Sequence, residues 1–202
     1  MMNILVTLDR NYLPPLRVML GSLLLNDPGE TFDIYAVGDG LLPEDWAALD
    51  ALCRGRLHPV EVPADLFADA PVARYWTRAM YYRLLAAELL PRNLDRVLYL
   101  DPDILVINSV RALYDTDLEG DLMAAATHTG LLAGITDPVN RLRLENYEAE
   151  AYYNSGVLLM DLAAMRREVR PGDIFGYARE HADILLLPDQ DVLNGLYGGQ
   201  IL

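Results

Sequence analysis

The chain contains no lysine; its 16 basic residues are all arginine. Every chemistry that depends on a side-chain primary amine falls away with it: a phosphate-gripping P-loop, a Schiff base, and the lysine that haloacid-dehalogenase-like phosphatases require. Cysteine is almost absent as well. With Cys53 alone, no intrachain disulfide and no cysteine-based zinc site can form, and a reducing compartment is expected. There is no long hydrophobic run. The longest apolar-rich segment, Leu16–Leu25, contains Arg17, Gly21 and Ser22 and is too short to span a bilayer. The N-terminal MMNILVTLDRNY lacks the basic start and the apolar length of a signal peptide. Positive charge is scarce: 30 acidic residues against 16 basic ones leave a formal charge of −14, a field that repels nucleic acid and anionic lipid. The expectation is a soluble, cytoplasmic protein without a transmembrane segment and without a nucleic-acid partner.

What is present fits one domain. The 202 residues are 52% hydrophobic, enough for a proper core and cramped for two domains. Short apolar runs alternate with helical stretches. Asn3–Thr7 reads as a buried strand, and Pro14-Pro15 opens a helix to about Leu25. Asp33–Val37 is a second strand, followed by a helix that starts at Pro43-Glu44-Asp45 and stops at Gly55. Leu57–Val62 and Arg96–Leu100 are further strands, separated by a long helix from Thr77 to Leu90. Ile104–Ile107 reads as a short extended piece, and Leu122–Ala126 and Gly156–Met160 as two more strands. Leu162–Arg167, Ile174–His181 and Val192–Tyr197 read as helices. Thr127–Tyr153 reads as a mobile loop with a short helix, in the manner of a lid. This order predicts an α/β fold with a mostly parallel sheet and a ligand site beyond the carboxyl ends of the strands.

The polar clusters follow strand ends: Asp9–Asn11 after the first strand and Asp101-Pro102-Asp103 after the fourth. Asp-x-Asp alone is weak, because about two such triplets arise by chance at this aspartate content. The chain has three, Asp101/Asp103, Asp115/Asp117 and Asp189/Asp191. Asp101 ends an apolar strand, so its pair emerges at the mouth of the sheet. There it is either a solvated turn or a pair of oxygen ligands for a hard divalent ion. Asp115/Asp117 reads as a surface turn or helix cap. Asp189 and Asp191 open a helix, where acidic residues are favoured in any protein. His58, His128 and His181 are scattered, and each is expected to be structural or exposed.

Taken together, LVTLDRNY, MYYRLLAAELLP, RVLYLDPDILVINSVRALYDTDL, YYNSGVLLMDL and LPDQDVLNGLYGG resemble glycosyltransferase family 8, retaining enzymes whose bacterial members include lipopolysaccharide galactosyl- and glucosyltransferases. The pieces stand in the family's order over nearly the whole chain. The resemblance implies a GT-A fold, a Rossmann-like α/β sheet flanked by helices in a single domain over residues 1–202. It implies transfer of a hexose from UDP-galactose or UDP-glucose to a saccharide acceptor, with Mn²⁺ or Mg²⁺. Residue by residue, it implies that Thr7, Asp9, Asn11 and Tyr12 bind the uridine, with Tyr12 stacked on the base. Asp101 and Asp103 hold the metal, and Asp101 also contacts the nucleotide. Arg83, Asn154 and Asp189 bind the donor sugar. Gln190 lies against the anomeric carbon opposite the leaving group, with Asp191 as the neighbouring carboxylate. An amide is a poor nucleophile, so Gln190 favours front-face attack, while Asp191 keeps a covalent intermediate open.

Two departures accompany the resemblance. The position after Ala125–Thr127 commonly carries an acidic sugar-binding residue; here it is His128, so donor choice is expected to differ. Family members also continue past NGLYGG into a segment with a histidine that serves as third metal ligand, beside a glycine and a lysine. This chain stops at Ile201-Leu202, so the fold is expected to be C-terminally short and the metal weakly held. The apolar patch left by such a segment would favour a homodimer. The alternative function is therefore a truncated or degenerate member that binds UDP-sugar or a partner without efficient turnover. Two other classes fit less well. A sugar nucleotidyltransferase needs a Gly-rich, basic N-terminal loop, and LVTLDRNY has no glycine. A haloacid-dehalogenase-like phosphatase needs DPDILV on its first strand.

Overall fold

The computed structural model of the chain describes residues 1–67, 79–127 and 133–202. Its centre is a six-stranded sheet of order β3-β2-β1-β4-β6-β5. Strands β1 (Met2–Asp9), β2 (Phe32–Asp39), β3 (Leu57–Pro59) and β4 (Arg96–Leu100) are mutually parallel. Strand β6 (Tyr153–Asp161) runs antiparallel to both β4 and β5 (Met123–Thr127). Strand β1 is nearly continuously buried, as a central strand covered on both faces must be. Side-chain alternation divides the core in two. Leu5, Tyr99, Leu158 and Met160 face one layer, while Ile4, Val6, Leu98, Leu100 and Leu159 face the other.

Helices α1 (Leu13–Asn26) and α2 (Pro43–Leu52) connect the parallel strands. Both begin with proline in the first turn, where the ring's fixed φ and missing N–H carry no penalty. Helices α3 (Ala79–Tyr82) and α4 (Ala86–Leu89) precede β4, α5 (Arg111–Tyr114) follows it, and α6 (Ala133–Arg143) lies between β5 and β6. Helices α7 (Leu162–Glu168), α8 (Pro171–Glu180) and α9 (Pro188–Tyr197) follow β6. The chain runs from β1 outward to β2 and β3, then returns to place β4 on the other side of β1. That reversal puts a topological switch point at the carboxyl ends of β1 and β4, the crevice where open α/β sheets take their ligands.

Two expectations are corrected. The strand expected over Leu57–Val62 stops at Pro59; Val60 N–H still donates to Ala36 O (2.9 Å), but Pro59 has no N–H to give and Pro63 follows. The helix expected from Thr77 to Leu90 is two short helices with a turn at 83–85, and its first residues, 77 and 78, lie outside the described ones. The piece Ile104–Ile107 pairs in no strand; Val106 N–H donates to Ser22 Oγ (3.0 Å) and Val106 O accepts from Asn26 Nδ2 (2.9 Å), so α1 side chains take its backbone groups. The short helix read within Thr127–Tyr153 is α6, eleven residues long. His128 lies outside the described residues. Cys53 is buried and free; burial, with a smaller push from Asp50, raises its thiol to about 11, which keeps it an inert core residue.

Candidate functional site

Asp101 sits at the carboxyl end of β4, on the switch-point crevice. Its N–H donates to Gly156 O (2.8 Å), extending the β4–β6 register by one step beyond the Leu100↔Val157 pair. The carboxylate is held from two sides. Tyr99 OH donates to Asp101 Oδ1 (2.5 Å) and is itself 3.2 Å from Thr7 Oγ1 on β1. Arg83 Nη1 lies 2.9 Å from the same Oδ1.

Arg83 is the hub. From the turn between α3 and α4 its Nη1 donates to Ser155 O (3.0 Å), and its Nε lies 3.3 Å from Asp189 Oδ2 on α9. Its Cζ stands 4.7 Å from the centroid of the Tyr99 ring, a cation–π arrangement. Burial disfavours the guanidinium charge, but Tyr99, Asp189 and Asp101 outweigh it and hold Arg83 protonated. Burial pushes the Asp101 carboxyl up from its ordinary value against the pull of Arg83 and Tyr99. The expected site residues Arg83, Asp101 and Asp189 therefore meet in one partly buried ionic cluster drawn from three segments.

The start of β6 completes the wall. Ser155 Oγ donates to Asp189 Oδ2 (3.3 Å), and Ser155 N–H donates to Gln190 Oε1 (3.2 Å). Asn154 Oδ1 accepts from Gly156 N–H (2.7 Å). Gly156 is required by close approach: a Cβ there would lie 2.7 Å from Asp101 Oδ2 and 3.0 Å from Asn154 Oδ1. Gly156→Ala should cost about 1–3 kcal/mol as overpacking against a fixed carboxylate. Gly176→Ala on α8, where a Cβ meets nothing within 4 Å, should be neutral or stabilising by up to about 1 kcal/mol. Urea unfolding of the two variants decides the matter, and equal midpoints would refute the close-approach argument.

Other expected residues are placed differently. Asp103 is exposed. Asp9 Oδ1 accepts from Asn11 N–H (2.8 Å) and caps the 3-10 turn Arg10–Tyr12; Tyr12 there is 43% exposed. Thr7 is buried, its hydroxyl engaged with Tyr99. Asp191 does not join the cluster. It is 0% exposed and accepts from Arg143 Nη1 (2.9 Å) and Nη2 (2.7 Å), Tyr152 OH (2.7 Å), and the N–H groups of Leu186 (2.6 Å) and Leu187 (3.0 Å). Its carboxylate serves the start of α9 and the end of α6. Asp117 caps the Glu119 N–H (3.0 Å), as its turn reading implied.

Tyr99, Ser155, Tyr152 and Arg143 had no assigned role in the sequence. Tyr99 had a usable signal: two residues before Asp101 on a strand, it must share that residue's face. Arg143 had none, since 48 positions separate it from Asp191.

At the switch-point crevice a partly buried arginine thus lies between two carboxylates, beside a buried amide and an exposed carboxylate. The chain belongs to glycosyl transferase family 8, whose family model matches residues 3–202, and thus to a family of enzymes that transfer sugars. It is 28% identical over 203 residues to general stress protein A of Bacillus subtilis (strain 168), covering 96% of this chain and 68% of that protein. It is 28% identical over 204 residues to the lipopolysaccharide 1,2-glucosyltransferase of Escherichia coli (strain K12), covering all of this chain and 60% of the relative. Among solved structures it resembles the galactosyltransferase LgtC in complex with donor and acceptor sugar analogs. The TM-score is 0.86 at 29% identity, over 99% of this chain and 72% of that one. The fold is thus that of the GT-A glycosyltransferases. Among the described residues no helix is long and apolar enough to cross a membrane.

Proposed function

We propose that the protein transfers a hexose from a UDP-sugar, glucose or galactose, to a saccharide acceptor with retention of anomeric configuration. The observation that carries this reading is the convergence of Arg83, Asp101, Asp189 and Gln190 at the crevice beyond β1 and β4. Asp189, with Ser155 and Arg83 around it, offers acceptor oxygens to sugar hydroxyls, and Asn154 adds an amide. Tyr12, exposed on the turn after β1, presents a ring on which a uracil would stack, with Asp9 and Asn11 beside it.

A diphosphate approaching this site meets Asp101, Asp103 and Asp189 with Arg83 as the cation among them, so its charge calls for a divalent counter-ion. Two carboxylates are hard oxygen donors that suit Mn²⁺ or Mg²⁺. Asp101 and Asp103 would hold such an ion, which when bound stabilises the charge growing on the leaving diphosphate. Among the described residues no group of three His, Cys, Asp or Glu side chains is placed to hold a metal.

The arrangement favours front-face transfer. The acceptor hydroxyl oxygen bonds to the anomeric carbon on the face that the phosphate leaves, and its proton passes to the departing phosphate oxygen. No protein nucleophile is needed. Gln190 is an amide, and the Asp191 carboxylate is fully buried and committed to five hydrogen bonds, so neither suits a covalent intermediate. The two-carboxylate metal pair also favours a second reading, nucleotide-sugar binding without efficient turnover, which a UDP-glucose and UDP-galactose turnover assay separates from the first.

Calorimetric titration with UDP tests the binding half of both readings. Binding should appear with Mn²⁺, vanish on chelation, and weaken at least about tenfold in Asp103→Ala, the loss of roughly one charge-assisted ligand. Asp103 is exposed, so that variant should keep its fold. Absence of UDP binding with and without Mn²⁺ would sink the nucleotide reading.

A further inference from the structure

We infer that the Thr7 and Tyr99 hydroxyls form a one-way chain of hydrogen bonds that fixes the Asp101 carboxylate with its Oδ2 toward the ligand. The inference rests on the reading of Asp101 as a carboxylate that meets the metal and the nucleotide. Tyr99 OH donates to Asp101 Oδ1 (2.5 Å). A phenol has one proton, and this one is spent on the carboxylate. Thr7 Oγ1, 3.2 Å from the Tyr99 oxygen, is then the donor of the second bond. The chain runs from Thr7 to Tyr99 to Asp101, from the carboxyl end of β1 to that of β4. The resemblance put Thr7 on the uridine. At 5% exposure and with its proton committed, its hydroxyl instead serves Asp101 through Tyr99.

Asp101 Oδ1 also lies 2.9 Å from Arg83 Nη1, so a hydroxyl and a guanidinium both hold that one oxygen. Among the described residues no donor stands on Oδ2. The side chain keeps 24% exposure, and Oδ2 is not among the buried polar atoms left without a partner. It is therefore the oxygen open to the crevice. Gly156 borders it, where a Cβ would lie 2.7 Å away. The last torsion of an aspartate is broad and soft, so a carboxylate turns unless something stops it. Here Tyr99 and Arg83 stop it together. Arg83 is shared with Asp189 (3.3 Å) and Ser155 O (3.0 Å), so the Tyr99 hydroxyl is the one donor that Asp101 has to itself. The Thr7 proton polarises that hydroxyl and strengthens its donation. Thr7 and Tyr99 act on the ligand only through Asp101; both are positioning residues.

Urea midpoints of the wild type, Thr7→Val, Tyr99→Phe and the double variant test the chain without any ligand. Tyr99→Phe strands the buried Thr7 donor. Thr7→Val should therefore lower the midpoint less in the Tyr99→Phe background than in the wild type, or raise it. Equal shifts in both backgrounds overturn the chain. Calorimetry with UDP and Mn²⁺ tests what the chain does. Tyr99→Phe should weaken binding about tenfold, the scale of one hydrogen bond to a charged group. Thr7→Val should weaken it about threefold, through lost polarisation alone. The double variant should match Tyr99→Phe, whereas independent contacts would multiply to about thirtyfold. The thirtyfold result would set Thr7 on the nucleotide itself and overturn its action through Tyr99. Tyr114→Phe is the control. The Tyr114 hydroxyl accepts from Asn3 N–H (3.2 Å) and donates to Arg96 O (3.4 Å), so it bridges β1 and β4 at their amino ends. Its loss should lower stability and leave UDP affinity unchanged. An equal loss of affinity in Tyr114→Phe, or none in Tyr99→Phe, overturns the positioning role. Coupled midpoints with no UDP binding by the wild type overturn the nucleotide reading and leave the hydrogen bonds standing without that purpose.

Discussion

Asp191→Ala should lower folding stability by about 3–5 kcal/mol at neutral pH, the scale of a buried ion pair broken by loss of one partner. The carboxylate is fully buried, and its removal strands three kinds of donor at once. The Arg143 guanidinium, 17% exposed at the side chain, keeps its charge and loses its counter-charge. The Tyr152 hydroxyl loses its acceptor, and the N–H groups of Leu186 and Leu187 lose the cap that α9 otherwise lacks, since its N-cap residue Leu187 has no capping side chain. The pH dependence follows from the same contacts. Burial pushes the Asp191 carboxyl up, but donation from Arg143, Tyr152 and the two backbone N–H groups outweighs it and leaves the carboxyl below its ordinary value. A group depressed in the folded state contributes stability above its unfolded value and loses it as pH falls through the folded one. The gap between wild type and Asp191→Ala should therefore be widest near neutrality and close as pH drops below about 4. Urea melts across pH 7 to 3 measure it; a gap below 1 kcal/mol at neutrality, or one that grows in acid, would refute the assignment.

Arg83→Ala should reduce kcat/KM for a UDP-sugar by at least about 100-fold, comparable to loss of one strong oxyanion donor. Arg83 is the cation that Asp101 and Asp189 share, at 2.9 and 3.3 Å, and it also donates to Ser155 O. Without it the two carboxylates repel each other and any incoming phosphate more strongly, and Asp101 is left to Tyr99 alone. Arg83→Lys should rescue little. An ammonium is a point charge without the planar fork, and it cannot reach Asp101, Asp189 and the Ser155 carbonyl together. Turnover in either variant within threefold of wild type, with circular dichroism confirming the fold, would remove Arg83 from the site.

Much of this was legible from local pattern. The strands announce themselves as apolar runs, and Asp101 is marked by standing where one of them ends. Helix starts follow from Pro14, Pro43 and Pro188. The failures have distinct causes. The helix break at 83–85 is invisible in propensity, because MYYRLLAAELL is good helix sequence; in the structure it coincides with Arg83, whose contacts reach β4, β6 and α9. The shortened β3 reflects two prolines that outweigh an otherwise extended pattern. Asp189 and Asp191 look alike in sequence as first-turn acids of one helix. Two residues apart on a helix they point in different directions, and so one faces the crevice and the other the interior. What pairs with each is decided by residues 39 to 48 positions away in the chain for Asp191, and no local pattern encodes that distance.

The antiparallel seam between β4 and β6 has one more implication. Gly156 faces Asp101 only because Leu100 pairs with Val157 and Tyr99 with Leu158. A slip of one residue would set Ser155 or Val157 against the carboxylate and invert the faces on which Leu158, Leu159 and Met160 are buried. The architecture thereby links two selections that are usually separate. A misregistered chain loses its core and its site in the same step, so activity reports on strand alignment, and mutations that loosen this seam should be counter-selected twice.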